Sequence, residues 1–202
     1  MSMLSLTVSF IVMLNPFALF LYLCPVMKEL TRKDFMKVLL KATIISYIIY
    51  LIFVLTGDIL FNQIFRINFS AFRIFGGIII FSYAYYYIVK GQKALIKLRG
   101  SLDDLASEIA LPFMVGAGTI SIAILMGNEL SIMKNMMILP LILVINYLII
   151  ISLMLLRHHI FNQELKIAFD KSMGILLRIS GFFVGAIGIN MITKGIKNLY
   201  FV

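Results

Sequence analysis

The chain has 202 residues, of which 62% are hydrophobic and 13% charged, whereas a soluble domain is about one quarter charged and at most half apolar. That balance excludes a soluble globular domain and describes an all-α, polytopic membrane protein as a single transmembrane domain, 1–202. The formal charge of +9 does not describe a nucleic-acid groove, because the basic residues lie in short loops between apolar runs.

The first apolar run follows Met1-Ser2-Met3. No basic n-region precedes it, and it outlasts a signal-peptide h-region, so it is expected to be a mature span. Six spans of about twenty residues fit the chain: 4–26, 38–60, 72–89, 109–126, 136–156 and 174–192. Asn15-Pro16-Phe17-Ala18 interrupts the first. Asn is a favoured N-cap and Pro is tolerated at the first helical position, so one half-helix ends there and another begins. A break this far into a span falls near the bilayer midplane, where freed backbone groups must be buried or line a cavity.

Loops one, three and five are basic: Lys28, Arg32, Lys33, Lys37 and Lys41; Lys90, Lys93, Lys97 and Arg99; Arg157, Lys166, Lys171 and Arg178. The opposite side holds Arg66, Arg73, Lys134, Lys194 and Lys197. The odd loops are therefore expected in the cytoplasm, with both termini outside the cytoplasmic membrane.

The chain also repeats itself. Span three opens Arg73-Ile74-Phe75-Gly76 and span six opens Arg178-Ile179-Ser180-Gly181. They close on Lys90-Gly91 and Lys194-Gly195, and span four is interrupted at Gly116-Ala117-Gly118-Thr119. The expected architecture is two three-helix units, about 1–91 and 108–202, joined by a cytoplasmic connection at about 92–107. Three is odd, so the units would be inverted in the membrane, with helices 1 and 4 both discontinuous.

Each break offers a half-helix N-terminus, with unpaired N–H groups and the positive end of a dipole. These donors are expected near Phe17, Ala18 and Leu19, and near Gly116, Gly118, Thr119 and Ile120. Carbonyls near Met13, Leu14 and Val115 would face an ammonium or a cation. A small zwitterion matches both polarities. Asn146 and Asn190 are secondary binding candidates, although a membrane Asn more often bonds another helix. Ser9, Ser46, Thr119 and Ser121 could line a path. Arg73 and Arg178 stand at span entrances, where snorkelling competes with a structural or gating role. Gly76, Gly77, Gly181, Gly185 and Gly188 form smooth faces for helix packing, within one chain or between subunits of a homo-oligomer.

No carboxylate lies deep in a span, so coupling to H+ or Na+ has no evident carrier and stays open. The spans hold no aspartate pair, His-Glu-x-x-His or Ser/His dyad, so an enzyme is not expected. No metal or other cofactor is expected. Cys24 is the single cysteine, which excludes an intrachain disulfide. His158 and His159 read as solvated loop residues. Tyr83, Tyr85, Tyr86 and Tyr87 fit an interfacial belt.

Several of these segments resemble the MarC family of integral membrane proteins. They are Leu14-Asn15-Pro16, Leu30-Thr31, Ala71-Phe72-Arg73-Ile74-Phe75-Gly76-Gly77-Ile78, Leu111-Pro112-Phe113-Met114-Val115-Gly116-Ala117-Gly118, Leu177-Arg178-Ile179-Ser180-Gly181 and Ile189-Asn190-Met191-Ile192. Three positions depart from the family pattern: Leu21 and Ala117 replace prolines, and Asn190 stands where Gln is usual. The resemblance implies six helices with both termini outside. From an archaeal relative, it implies transport of small neutral amino acids such as glycine and alanine. A channel, an efflux protein for another solute, or a non-transporting scaffold remain alternatives.

Overall fold

Helices are the only regular structure among the described residues, as expected where hydrocarbon supplies no partner for the backbone. The computed structural model describes residues 3–64, 66–90, 102–160 and 162–200. Lys93, Lys97 and Arg99 of the third basic loop, and Gly91, lie outside the described residues.

Helix α1 (Met3–Leu14) stops at Asn15, and α2 (Pro16–Glu29) starts at once. Leu30 and Thr31 then turn the chain into α3, Arg32–Ile59. The Thr31 hydroxyl accepts the Asp34 N–H at 3.2 Å, an N-cap that fixes where α3 begins. A π-helical turn, Leu60–Ile64, extends α3, and α4 runs Phe69–Lys90. Next come the short α5 (Leu102–Glu108), a π-helical stretch Ile109–Met114, and α6 (Ala117–Glu129). The chain finishes with α7 (Ile132–His159) and α8 (Gln163–Tyr200).

The link from α6 to α7 has the backbone geometry of the link from α2 to α3, 100 positions earlier. Leu30 (φ −99°, ψ 151°) and Thr31 (φ −65°, ψ 155°) match Leu130 (φ −121°, ψ 148°) and Ser131 (φ −63°, ψ 152°). Along α3 the buried positions include Phe35, Val38, Leu39, Ala42, Ser46 and Tyr50; along α7 they include Asn135, Ile138, Leu139, Ile142, Asn146 and Ile150. Spacings of three and four put each set on one helical stripe. Between these buried positions, Ile44, Ile48, Ile52, Leu141, Val144 and Leu148 are exposed apolar residues, suited to lipid.

Helices α3 and α7 run antiparallel. Arg32 meets the ring of His158, and the Tyr147 hydroxyl lies 3.5 Å from the Met36 carbonyl. The bidentate pair Arg157–Asp170 (2.8 and 2.9 Å) then ties α7 to α8 near the same end. Helices α4 and α8 are also antiparallel, pressed together along their glycines. A Cβ at Gly77 would lie 2.6 Å from the Gly188 carbonyl, and one at Gly195 2.9 Å from that of Ser70. Lipid tails give no hydrophobic drive between helices, so close van der Waals approach between small residues holds such pairs.

Among the described residues, five segments are long and apolar enough to cross a membrane: Met3–Leu21, Arg32–Gly57, Phe69–Val89, Ile132–His159 and Gln163–Tyr200. The expected span 109–126 is interrupted at Gly116, as expected, and at a second place, Leu111, as well. Leu111 leaves helical geometry (φ −122°, ψ 118°) and the chain breaks again at Gly116, so neither piece reaches spanning length. Helix α8 exceeds the expected 174–192 by about a dozen residues at its start, because nothing between Gln163 and Gly174 breaks the helix.

Gly77→Ala should destabilise the protein in detergent by about 1–3 kcal/mol through overpacking against backbone. Gly185→Ala, whose Cβ would meet only the Ala84 Cβ at 3.3 Å, should cost clearly less; thermal unfolding of both variants checks the order.

Candidate substrate site at the two helix breaks

The first break turns on Asn15, which holds a left-handed backbone (φ 45°, ψ 72°). Asn is among the few side chains that adopt this region readily. Its Oδ1 accepts the Ala18 N–H at 3.2 Å, and its Nδ2 donates to Ser180 Oγ at 2.9 Å. Ser180 in turn donates to the Leu177 carbonyl at 2.8 Å. The Asn15 amide donates to Ile11 O at 3.1 Å, and Leu19 donates to Asn15 O at 3.0 Å. Pro16 carries no N–H, so the Val12 carbonyl four residues back loses its helical donor.

The second break lies at Gly116, whose backbone is extended (φ −118°, ψ 171°). Its N–H donates to Thr119 Oγ1 at 3.0 Å. The single Thr119 hydroxyl proton is directed at either Met114 O (3.1 Å) or Gly116 O (3.0 Å). The Tyr50 hydroxyl donates to the same Met114 carbonyl at 2.6 Å. Beside it, Ser46 bonds back to Ala42 O at 2.8 Å and lies 3.5 Å from Met114 Sδ. The N–H groups of Ala117, Gly118 and Thr119, in the first turn of α6, have no acceptor within their helix.

The two breaks adjoin. A Cβ on Gly118 would collide with the tips of Met13 and Ile80. Met13 also packs on a small cluster of Ile80, Ala84, Val184 and Met191. The last turn of α1 and the first turn of α6 thus meet across a thin apolar cover.

Most of the expected site residues gather here. Asn15, Pro16, Ala18, Gly118 and Thr119 are buried, Phe17 and Gly116 are half-buried, and Ala117 opens α6. Both breaks differ from expectation in some donors: the Asn15 side chain and carbonyl take the Ala18 and Leu19 N–H groups, and Thr119 Oγ1 and Gly116 O take those of Gly116 and Ile120. Asn146 is fully buried, and neither Nδ2 nor Oδ1 has a hydrogen-bond partner among the described residues. Asn190 does not join the site; its side chain is exposed, while neighbouring Met191 packs inward.

The expected gating residues separate. Arg73 is 8% exposed and interacts electrostatically with Glu129 at the end of α6, rather than reaching out to headgroups. Arg178 is exposed. It stands about 12 Å along α8 from Asp170, at ~1.5 Å per residue. Gly76, Gly77 and Gly181 are buried, with Gly77 and Gly181 facing the partner helix. Tyr50 and Ile80 were not singled out from the sequence, Met13 was expected only for its carbonyl, and Ser180 only as part of a repeated motif. Asn135 is a further buried polar group; its Nδ2 donates to Met126 O at 2.9 Å and Leu130 O at 3.2 Å, closing the end of α6.

A family model described as MarC family integral membrane protein matches residues 1–200. The chain belongs to the MarC family. Its relatives include the UPF0056 membrane protein PH0214 of Pyrococcus horikoshii, 26% identical over 92% of this chain and 88% of the relative. A UPF0056 membrane protein of Aquifex aeolicus is 23% identical, covering 95% and 90%. The UPF0056 membrane protein YvbG of Bacillus subtilis is 24% identical over 79% and 77%. No solved structure matches the chain significantly.

Two substitutions probe the breaks. Asn15→Gly keeps the left-handed backbone but loses the cap and the Ser180 bond, so a loss of about 1 kcal/mol is expected. Asn15→Val adds a β-branched side chain at positive φ and should cost more. Tyr50→Phe should cost about 1 kcal/mol by removing one donor from Met114 O. Thermal unfolding in detergent measures all three.

Proposed function

We propose that this MarC-family protein is a secondary transporter of small neutral amino acids such as glycine and alanine, and not an enzyme. The substrate would bind between the two breaks. The observation that carries the reading is the contact between the end of α1 and the start of α6, where two interrupted helices bring backbone polar groups together. Discontinuous helices at the midplane are the usual site architecture of secondary transporters.

The matching link geometry and burial of the two halves, with antiparallel α3/α7 and α4/α8 pairs, support two inverted three-helix repeats. Arg32 against His158 and Arg157 with Asp170 put loops one and five at one end of the molecule. That agrees with a cytoplasmic basic face and both termini outside the cytoplasmic membrane. Proline-free Leu21 and Ala117 sit within the two breaks' second halves and leave the same geometry available to a small substrate.

Met13 and Ile80, which lie over Gly118, are read as the cover of an occluded state. In a scaffold that cover would never open. Counterflow in proteoliposomes distinguishes the two: after preloading with unlabelled glycine, labelled glycine should accumulate transiently, competed by alanine but not by lysine or glutamate. A flat trace from inserted, folded protein would remove the transporter reading. Gly118→Leu, which drives a side chain into Met13 and Ile80, should abolish the exchange.

A further inference from the structure

We infer that the two breaks divide the poles of a zwitterion between them, the carboxylate on the start of α6 and the ammonium on the end of α1 beside Asn146. This rests on the transport reading and goes further, because it fixes the direction in which the substrate lies.

The two breaks are chemically opposite. At the second, the carbonyl end is closed: Tyr50 and Thr119 both address Met114 O. What remains open is the N–H end, at Ala117, Gly118 and Thr119, and Gly118 has no side chain to hold an anion away from the backbone. At the first break the N–H end is reduced to Phe17, because Pro16 has no N–H and the Asn15 side chain takes that of Ala18. What remains open is the carbonyl end, where Pro16 leaves Val12 without its helical donor. The negative end of the α1 dipole lies there too.

The repeat explains why the carbonyl end of α1 stays open. At the shift of 100 positions Tyr50 corresponds to Ile150 and Ser46 to Asn146, while the caps of the breaks, Asn15 and Gly116, lie 101 apart, so Met114 corresponds to Met13. Tyr50 donates to the carbonyl end of the second break; Ile150 has nothing to donate. Ser46 lies against Met114, and α7 packs on α1, so the correspondence assigns Asn146 to the end of α1. It is 0% exposed with both amide atoms unpartnered among the described residues. An unmet amide in hydrocarbon is costly, and such groups mark ligand paths. Its oxygen suits an ammonium, and its NH2 can reach back toward the carboxylate. The ligand displaces the tips of Met13 and Ile80, which limits its side chain to hydrogen or methyl.

The test uses full-length protein in proteoliposomes and two half-substrates, propionate and ethylamine, as competitors of labelled glycine counterflow. Asn146→Leu should weaken ethylamine about tenfold or more, the worth of a hydrogen bond to a charge, and change propionate less than twofold. Gly118→Ala should do the reverse. Asn146→Asp should tighten ethylamine and weaken propionate, a gain that misfolding cannot mimic.

Other outcomes overturn the division. In one, both competitors shift together in each variant; in another, the assignments are reversed. In a third, Asn146 variants change neither competitor, and the amide is met by water alone. Wild-type exchange that neither fragment inhibits also overturns it, since each pole should hold its fragment alone. Absence of wild-type glycine exchange instead removes the transport reading beneath it.

Discussion

The structure depends on one constraint: backbone groups released within an apolar, membrane-spanning stretch must find partners inside the protein. Two helices are interrupted, and each interruption draws a side chain from a distant helix. Ser180 of α8 holds the Asn15 amide, and Tyr50 of α3 reaches the Met114 carbonyl. Helices α8 and α3 are therefore held where they are partly by the need to complete the breaks. Packing alone would leave their rotation freer, because hydrocarbon does not distinguish one apolar face from another.

The glycine faces of α4 and α8 solve the complementary problem. With Gly77 against the Gly188 carbonyl and Gly195 against that of Ser70, the two backbones approach until any added carbon would overlap. Elsewhere the core is filled by large residues, Phe10 and Tyr50 edge to face at 4.9 Å among them. Close backbone contact on one side and bulky side chains on the other leave the polar groups of the breaks confined to a small, dry region.

The breaks were legible because their causes are local. Asn15-Pro16 and the glycines after Val115 carry cap and φ/ψ preferences that act within three residues, and the structure breaks at both places. The basic loops likewise mark ends of helices without reference to the rest of the chain. The partners of the breaks were not legible. Tyr50 lies 64 residues from Met114 and Ser180 lies 165 from Asn15, and a lone Tyr or Ser in an apolar run carries no sign of where it will donate. Arg73 and Arg178 share a motif yet end in different surroundings, one buried and one exposed, because neighbouring helices rather than sequence decide depth. The span 109–126 was expected to break at Gly116, but its second interruption, at Leu111, lies inside an apolar stretch that was expected to stay helical.

The length of α8 has a mechanical consequence. Its 38 unbroken residues extend about 57 Å, nearly twice the ~30 Å hydrocarbon core. The rod is clasped to α7 through Asp170 and to the first break through Ser180. Between these anchors there is no hinge, so a tilt imposed on the outlying turns that begin at Gln163 moves the Ser180 hydroxyl with it. One continuous backbone thus joins the α7 clasp at Asp170 to the cap of α2.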